Sequence, residues 1–243
     1  MRMYYKLMLI LFNLPLVGCS FLPESVIPLK SISQPAPKPS DTLVVFLPGL
    51  ADDEQTFVKE KFFSAVSDRK KNIDLMAVHT HIGYLLDGTY AERIKEDVIL
   101  PARKKGYKKI WLVGVSLGGF ISVNYLRQQP DDVTGLILFG PFLGQEGQLK
   151  EIKKQGGVLK WQPEDVESLS KTLSLWYWFK QNQKKYLKNI YVNYGDKDKL
   201  AYGIKMFSPL INKSHITEIK GIHGWKTWRE LWHMLLDSKT SPL

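Results

Sequence analysis

Ser116 stands in Gly114-Val115-Ser116-Leu117-Gly118, with Gly119 next. A hydroxyl is a poor nucleophile until a base takes its proton, and the base in turn needs an acid to hold its tautomer. Downstream lie two segments that could supply these groups, Gly195-Asp196-Lys197-Asp198 and Gly221-Ile222-His223-Gly224. The chain order is therefore serine, acid, histidine. A glycine-rich turn between strand and helix would account for the serine alone, but not for the other two segments.

Three elements must position these groups. Ile110–Val115 is an apolar run suited to a buried strand, and a helical pattern begins at Leu117. A serine between them sits on a sharp turn, and small residues two positions to either side let strand and helix approach. The helix N-terminus behind the serine adds backbone N–H groups. Ile190–Tyr194 and Ile216–Ile219 read as strands whose carboxyl ends carry the acid segment and His223. If all three strands run parallel, the three groups share one sheet edge.

The rest of the chain fits that frame. Thr42–Leu47, Ile73–Val78 and Val133–Phe139 are further buried strands. Helical periods cover Glu54–Ser67, Thr89–Arg103, Leu200–Phe207 and Trp225–Leu236. Alternating strands and helices predict a parallel sheet covered on both faces, with six strands. Residues 142–188 break the rhythm and are too long for a crossover loop. They predict a small helical insertion over the carboxyl edge, where open α/β folds bind ligands. Its aromatic run, with Trp176, Trp178 and Phe179, either packs the insertion onto the sheet or contacts substrate.

With these motifs in place, the sequence from Thr42 to Leu236 resembles the α/β-hydrolase superfamily of serine esterases, lipases, thioesterases and peptidases. The resemblance implies a minimal, mostly parallel sheet of about six strands with helices on both faces and a helical lid. It assigns Ser116 as nucleophile, His223 as base and Asp198 as acid, since the family's acid stands in a strand-end G-x-x-D. Asp196 is the alternative one register away. It places the oxyanion-hole amides at Leu117 and in the loop Pro48-Gly49-Leu50, with Leu50 the best match and Ala51 next. The family's loop usually begins His-Gly, and that histidine is missing here.

The first 18 residues form a different kind of segment. Arg2 and Lys6 precede an apolar stretch ending Leu16-Val17-Gly18-Cys19, a short signal rather than a membrane span. These four residues resemble the bacterial lipobox, which implies cleavage before Cys19 and acylation, including palmitate-type chains, on that residue. Ser20 rather than aspartate implies outer-membrane sorting, facing the periplasm of the cell envelope. Cys19 is the only cysteine, so disulfides, a thiolate metal site and a cysteine nucleophile are excluded. Residues 19–40, rich in proline and serine, predict an extended tether, leaving 41–243 as the folded domain.

Net charge is +10, and +8 once Arg2 and Lys6 leave with the leader. No zinc-finger or RNP-like pattern accompanies the lysines, so nucleic acid is not an expected partner. The run Lys180–Lys188 adjoins the insertion, and the expectation is that this face turns toward an anionic membrane. His79 and His81 lack a carboxylate at metal spacing and read as structural or pocket-lining, while His215 reads as exposed. No phosphate loop, dinucleotide fingerprint or metal cluster appears, so no cofactor and no metal is expected. An apolar insertion and an envelope location favour a carboxylic ester with an apolar acyl group. A thioesterase, lipase, lysophospholipase or peptidase would use the same groups. An anchored binding lipoprotein without turnover is the reading from another class.

Overall fold

The computed structural model describes residues 24–243. Cys19 and the leader lie outside the described residues. Seven strands form one sheet: β1 (Ser31–Gln34), β2 (Thr42–Leu47), β3 (Asp74–Val78), β4 (Lys109–Val115), β5 (Gly135–Phe139), β6 (Ile190–Lys197) and β7 (Ile216–Ile222). Their order is β1-β3-β2-β4-β5-β6-β7. Every neighbour pair from β3 to β7 is parallel, so those carboxyl ends share one edge. Apolar runs produce this arrangement. Leu43, Val45 and Leu47 face one core layer while Val44 and Phe46 face the other, and all five are buried.

The helices divide between the two faces. α1 (Thr56–Lys59), α2 (Phe62–Asp68) and α10 (Trp225–Asp237) cover one, where Phe46, Phe62 and Trp232 pack ring on ring. α3 (Ile82–Leu86) follows β3. α4 (Tyr90–Ile94) continues through a π turn into α5 (Leu100–Lys104), and with α6 (Leu117–Gln128) it covers the other face. α7 (Lys150–Lys154) and α8 (Lys171–Tyr186) belong to the insertion, and α9 (Ala201–Phe207) follows β6.

Two expectations are corrected. The sheet has a seventh strand, and it comes from the stretch read as a tether. Ser31–Gln34 pairs antiparallel with β3, with Ser31 opposite Val78. Leu29 is buried beneath it, and the Leu29 amide donates to Asp97 Oδ2 at 2.9 Å. From residue 24 onward the chain is therefore docked on the domain. An edge strand needs hydrogen bonds along only one side, which is why prolines at 35, 37 and 39 can follow it closely.

The second correction concerns Lys180–Lys188. α8 ends at Tyr186 and β6 begins at Ile190, so Lys184, Lys185 and Lys188 lie at the amino edge of the sheet. Lys180 donates to the Trp161 carbonyl. Lys184, Lys185 and Lys188 thus lie at the end of the sheet opposite the one that carries Ser116.

Candidate active site

The turn between β4 and α6 holds Ser116 at φ 51° and ψ −109°, a left-handed conformation costly for a side-chain-bearing residue. The turn is fixed from several directions. The Ser116 amide donates to the Phe139 carbonyl at 2.9 Å, and the Ser116 carbonyl accepts from Gly119 and Phe142, both at 3.1 Å. α6 lies so close to β2 that a Cβ on Gly118 would stand 2.0 Å from the Leu47 carbonyl oxygen. The spacing in the sequence motif is thus a packing requirement.

β6 and β7 bring the other two groups to the same edge. His223 Nε2 is 3.0 Å from Ser116 Oγ. Its Nδ1 lies 2.8 Å and 2.9 Å from the two oxygens of Asp198. The Asp198 side chain is fully buried, and its Oδ1 also accepts the Leu200 amide at 2.8 Å. Asp196 is exposed and accepts the Gly221 amide at 2.9 Å, so it braces the histidine loop without touching the imidazole. Such a chain of contacts can pass the serine proton to the imidazole while a carboxylate holds the ring.

Sequence reasoning missed two supports. The Trp228 ring stands edge-on to His223 with centroids 4.9 Å apart. Gly140, at φ +49°, leaves room for the acid–base pair, since a Cβ there would meet Asp198 Oδ2 at 2.7 Å and His223 Nδ1 at 3.1 Å. A glycine directly after an apolar strand, two chain segments away from the motif, carried no signal of that role.

A third support is Asp52. The loop after β2 turns at Gly49, whose carbonyl accepts the Asp52 amide at 3.3 Å. Asp52 Oδ1 accepts the Trp225 indole N–H at 3.2 Å, joining this loop to the first turn of α10 directly after His223. Burial pushes the Asp52 carboxyl up, while the indole and the Gly49 amide pull against it. A Cβ on Gly49 would stand 3.7 Å from Ser116 Cβ, so the loop borders Ser116. Leu117 opens α6, where an amide has no intrahelical acceptor. Leu50 is exposed at the tip of the loop. Asp52→Ala is expected to lower kcat about tenfold with KM changed less than twofold, because the loop beside Ser116 loses its brace to α10. Asp52→Asn keeps an oxygen for the indole and is expected to restore most of kcat. Steady-state kinetics of both variants checks this, and equal losses would rule out the brace.

The insertion aromatics are placed by packing. Trp176 and Phe179 are fully buried, with Phe207 of α9 against both rings, and the Trp176 indole donates to the Leu143 carbonyl at 2.8 Å. Trp178 is half-buried and stacks on Tyr186. Of the two roles left open for this run, holding the insertion onto the domain is the one the contacts describe. Three of the four other histidines are placed by contacts as well. His79 faces Glu54 at 3.4 Å, His81 accepts the Gly83 amide at 3.1 Å to cap α3, and His215 stacks on Tyr191 rather than standing exposed.

Residues 94–201 match the serine aminopeptidase, S33 family (Hydrolase_4), a span that includes Ser116 and Asp198 but ends before His223. Among solved structures, the fold is similar to Est1E from Butyrivibrio proteoclasticus, at 15% identity and TM-score 0.58, covering 88% of this chain and 96% of that one. It is also similar to S-formylglutathione hydrolase (FrmB) from Staphylococcus aureus, at 14% identity and TM-score 0.54, covering 87% and 96%. A third is FphF, a fluorophosphonate-binding serine hydrolase of Staphylococcus aureus, at 15% identity and TM-score 0.51, covering 85% and 96%. No curated protein matches the sequence. The fold is that of the α/β hydrolases, and the family match and these neighbours support a hydrolase of that fold.

Proposed function

We propose that this protein is a serine hydrolase that cleaves a carboxylic ester through an acyl-enzyme. The observation that carries the reading is the contact chain from Ser116 Oγ through His223 to the buried Asp198, at 3.0 Å and 2.8 Å. In this mechanism Ser116 Oγ attacks the acyl carbonyl as His223 Nε2 takes its proton. Asp198 accepts from Nδ1–H and stabilises the imidazolium. The carbonyl oxygen, now negative, is held by the Leu117 amide and the amide of Leu50. His223 then gives the proton to the departing alcohol. Water enters, loses a proton to the same nitrogen, and releases the acid. Losing one oxyanion donor in such a site costs on the order of 3 kcal/mol of transition-state stabilisation.

The substrate reading rests on a site that needs no second reactant beyond water, and on the apolar side chains Ile27, Leu50, Leu86 and Ile222 exposed along the same edge of the sheet. Cys19 is the proposed lipidation site, placing the domain on the bacterial envelope with the outer membrane as its surface. The S33 family match favours one second reading, cleavage of a peptide bond next to an N-terminal amine. Amino-acid nitroanilides and nitrophenyl esters from acetate to palmitate separate the two by which series turns over.

A fluorophosphonate probe is expected to label the purified protein at Ser116 and to leave Ser116→Ala unlabelled. Labelled peptide mass spectrometry reads the site. An unlabelled protein with intact circular dichroism would sink the enzyme reading and leave a binding lipoprotein.

A further inference from the structure

The carboxyl edge of the sheet carries more than the three reacting side chains. β1 runs antiparallel to β3, with Ser31 opposite Val78, so the residues before Ser31 emerge at this same edge. They are pinned there: the Val26 amide donates to Tyr84 Oη at 2.8 Å, and that hydroxyl donates back to the Val26 carbonyl at 2.7 Å. Ser25 bonds Asp87. Large apolar side chains stand out from this edge on both sides of Ser116. Ile27 is 70% exposed and Leu86 62% on the β1–β3 side, Leu50 is 61% exposed after β2, and Ile222 is 65% exposed beside His223. Lone exposed apolar residues are ordinary, but four along one edge of the sheet make a line of apolar tips.

Charge is distributed along the same edge. Lys197, Lys199, Lys220 and Lys226 stand exposed at the ends of β6 and β7 and on the first turn of α10. Among the described residues none of the four lies in an ion pair, whereas Lys153, Lys205, Arg69 and Arg229 elsewhere do. At the β6–β7 end these lysines surround one exposed carboxylate, Asp196, which accepts the Gly221 amide, while the carboxylates of Asp53, held by Thr56, and Asp87, held by Ser25 and Thr89, lie farther along the edge. Among the described residues no helix is long and apolar enough to cross a membrane, so contact with a bilayer through them would be peripheral. Apolar tips beside unpaired lysines are the combination that binds an anionic lipid surface.

We propose that this edge docks on an anionic lipid bilayer, which places Ser116 at the interface where amphiphilic esters lie. Chain geometry agrees with it. Glu24 is five residues beyond Cys19, a span of at most about 18 Å fully extended, so an acylated Cys19 would hold this edge close to the membrane. The docking itself does not require the hydrolase reading; only the substrate it delivers does.

The test uses the full chain with Cys19→Ser, and sedimentation with vesicles of phosphatidylglycerol and phosphatidylcholine against phosphatidylcholine alone. Binding to the anionic vesicles is expected at low salt and to weaken at high salt. Ile27→Ser with Leu86→Ser, and separately Lys220→Gln with Lys226→Gln, should each weaken it by roughly tenfold. Lys184→Gln, Lys185→Gln and Lys188→Gln together should leave it unchanged. Ser116→Ala should bind like the parent, which keeps this outcome separate from the fate of the enzyme reading. Hydrolysis of a short soluble ester should be the same in all the edge variants. No binding at low salt, binding insensitive to both edge pairs, or loss with the far-edge lysines would each overturn the proposal. So would edge substitutions that abolish self-association in solution while leaving vesicle binding intact.

Discussion

Asp198→Asn is expected to lower turnover by roughly 10³–10⁴ while the protein remains folded. The reason lies in which proton the imidazole keeps. Asp198, buried and fixed by the Leu200 amide, accepts a hydrogen bond from His223 Nδ1, which leaves Nε2 free to face Ser116 Oγ. An asparagine in the same place can present its amide N–H to Nδ1, so the ring carries its proton on Nε2 and cannot take the one on serine. The variant is nearly isosteric, so packing against Gly140 and Trp228 survives. Asp196→Asn, by contrast, disturbs only the acceptor for the Gly221 amide and is expected to cost less than about threefold. Initial rates on a nitrophenyl ester, with thermal melts as the folding control, measure both. A larger loss at Asp196 than at Asp198 would contradict the assignment.

What the sequence made legible was whatever depends on short-range chemistry. Fully apolar runs such as Leu43–Leu47 and Leu136–Phe139 are legible because a strand buried on both faces tolerates no polar position. The turn at Ser116 is legible because the close approach of β4, α6 and β2 admits only glycine at fixed offsets. The acid segment and His223 were legible because they end strands that must run parallel to the first, while the choice of Asp198 over Asp196 within that segment came from the family resemblance.

What stayed hidden depends on where elements dock. Ser-Ile-Ser-Gln alternates, but four residues before Pro35 are too few to outweigh a proline-rich context, and only pairing with β3 makes them a strand. The direction of α8 decides which edge Lys184 and Lys188 reach, and a run of lysines does not encode direction. Trp176 and Phe179 are large and sit within an insertion that the sequence predicts over the carboxyl edge, yet the helix turns them toward Phe207. Asp52 gains its role from an indole 173 positions away. The signals for these contacts are not local, so a single chain read in order does not display them.

Gly118→Ala tests whether the tight junction at Ser116 is as strict as its geometry implies. A methyl group there would meet the Leu47 oxygen at 2.0 Å, the Leu47 carbonyl carbon at 2.5 Å and the Pro48 oxygen at 2.6 Å. All three are backbone atoms at the end of a central strand, so no side-chain rotation relieves the overlap. Either α6 slides away from β2 or the loop that begins at Pro48 moves outward. Both movements separate the Leu117 amide from the loop amide that would complete the oxyanion hole. The expected result is a destabilisation of about 1–3 kcal/mol, the usual cost of overpacking a rigid site. Turnover should fall further than that unfolding explains, by at least roughly 100-fold, because a misplaced oxyanion donor alone costs about that much. Gly147→Ala is the matched control, since a Cβ there meets nothing within 4 Å. Chemical denaturation gives the stability change, and rates measured well below the melting temperature give the catalytic one. A Gly118→Ala protein with stability and rate both within twofold of the parent would mean that the junction yields easily, and that the amides at Leu117 and Leu50 are not held by it.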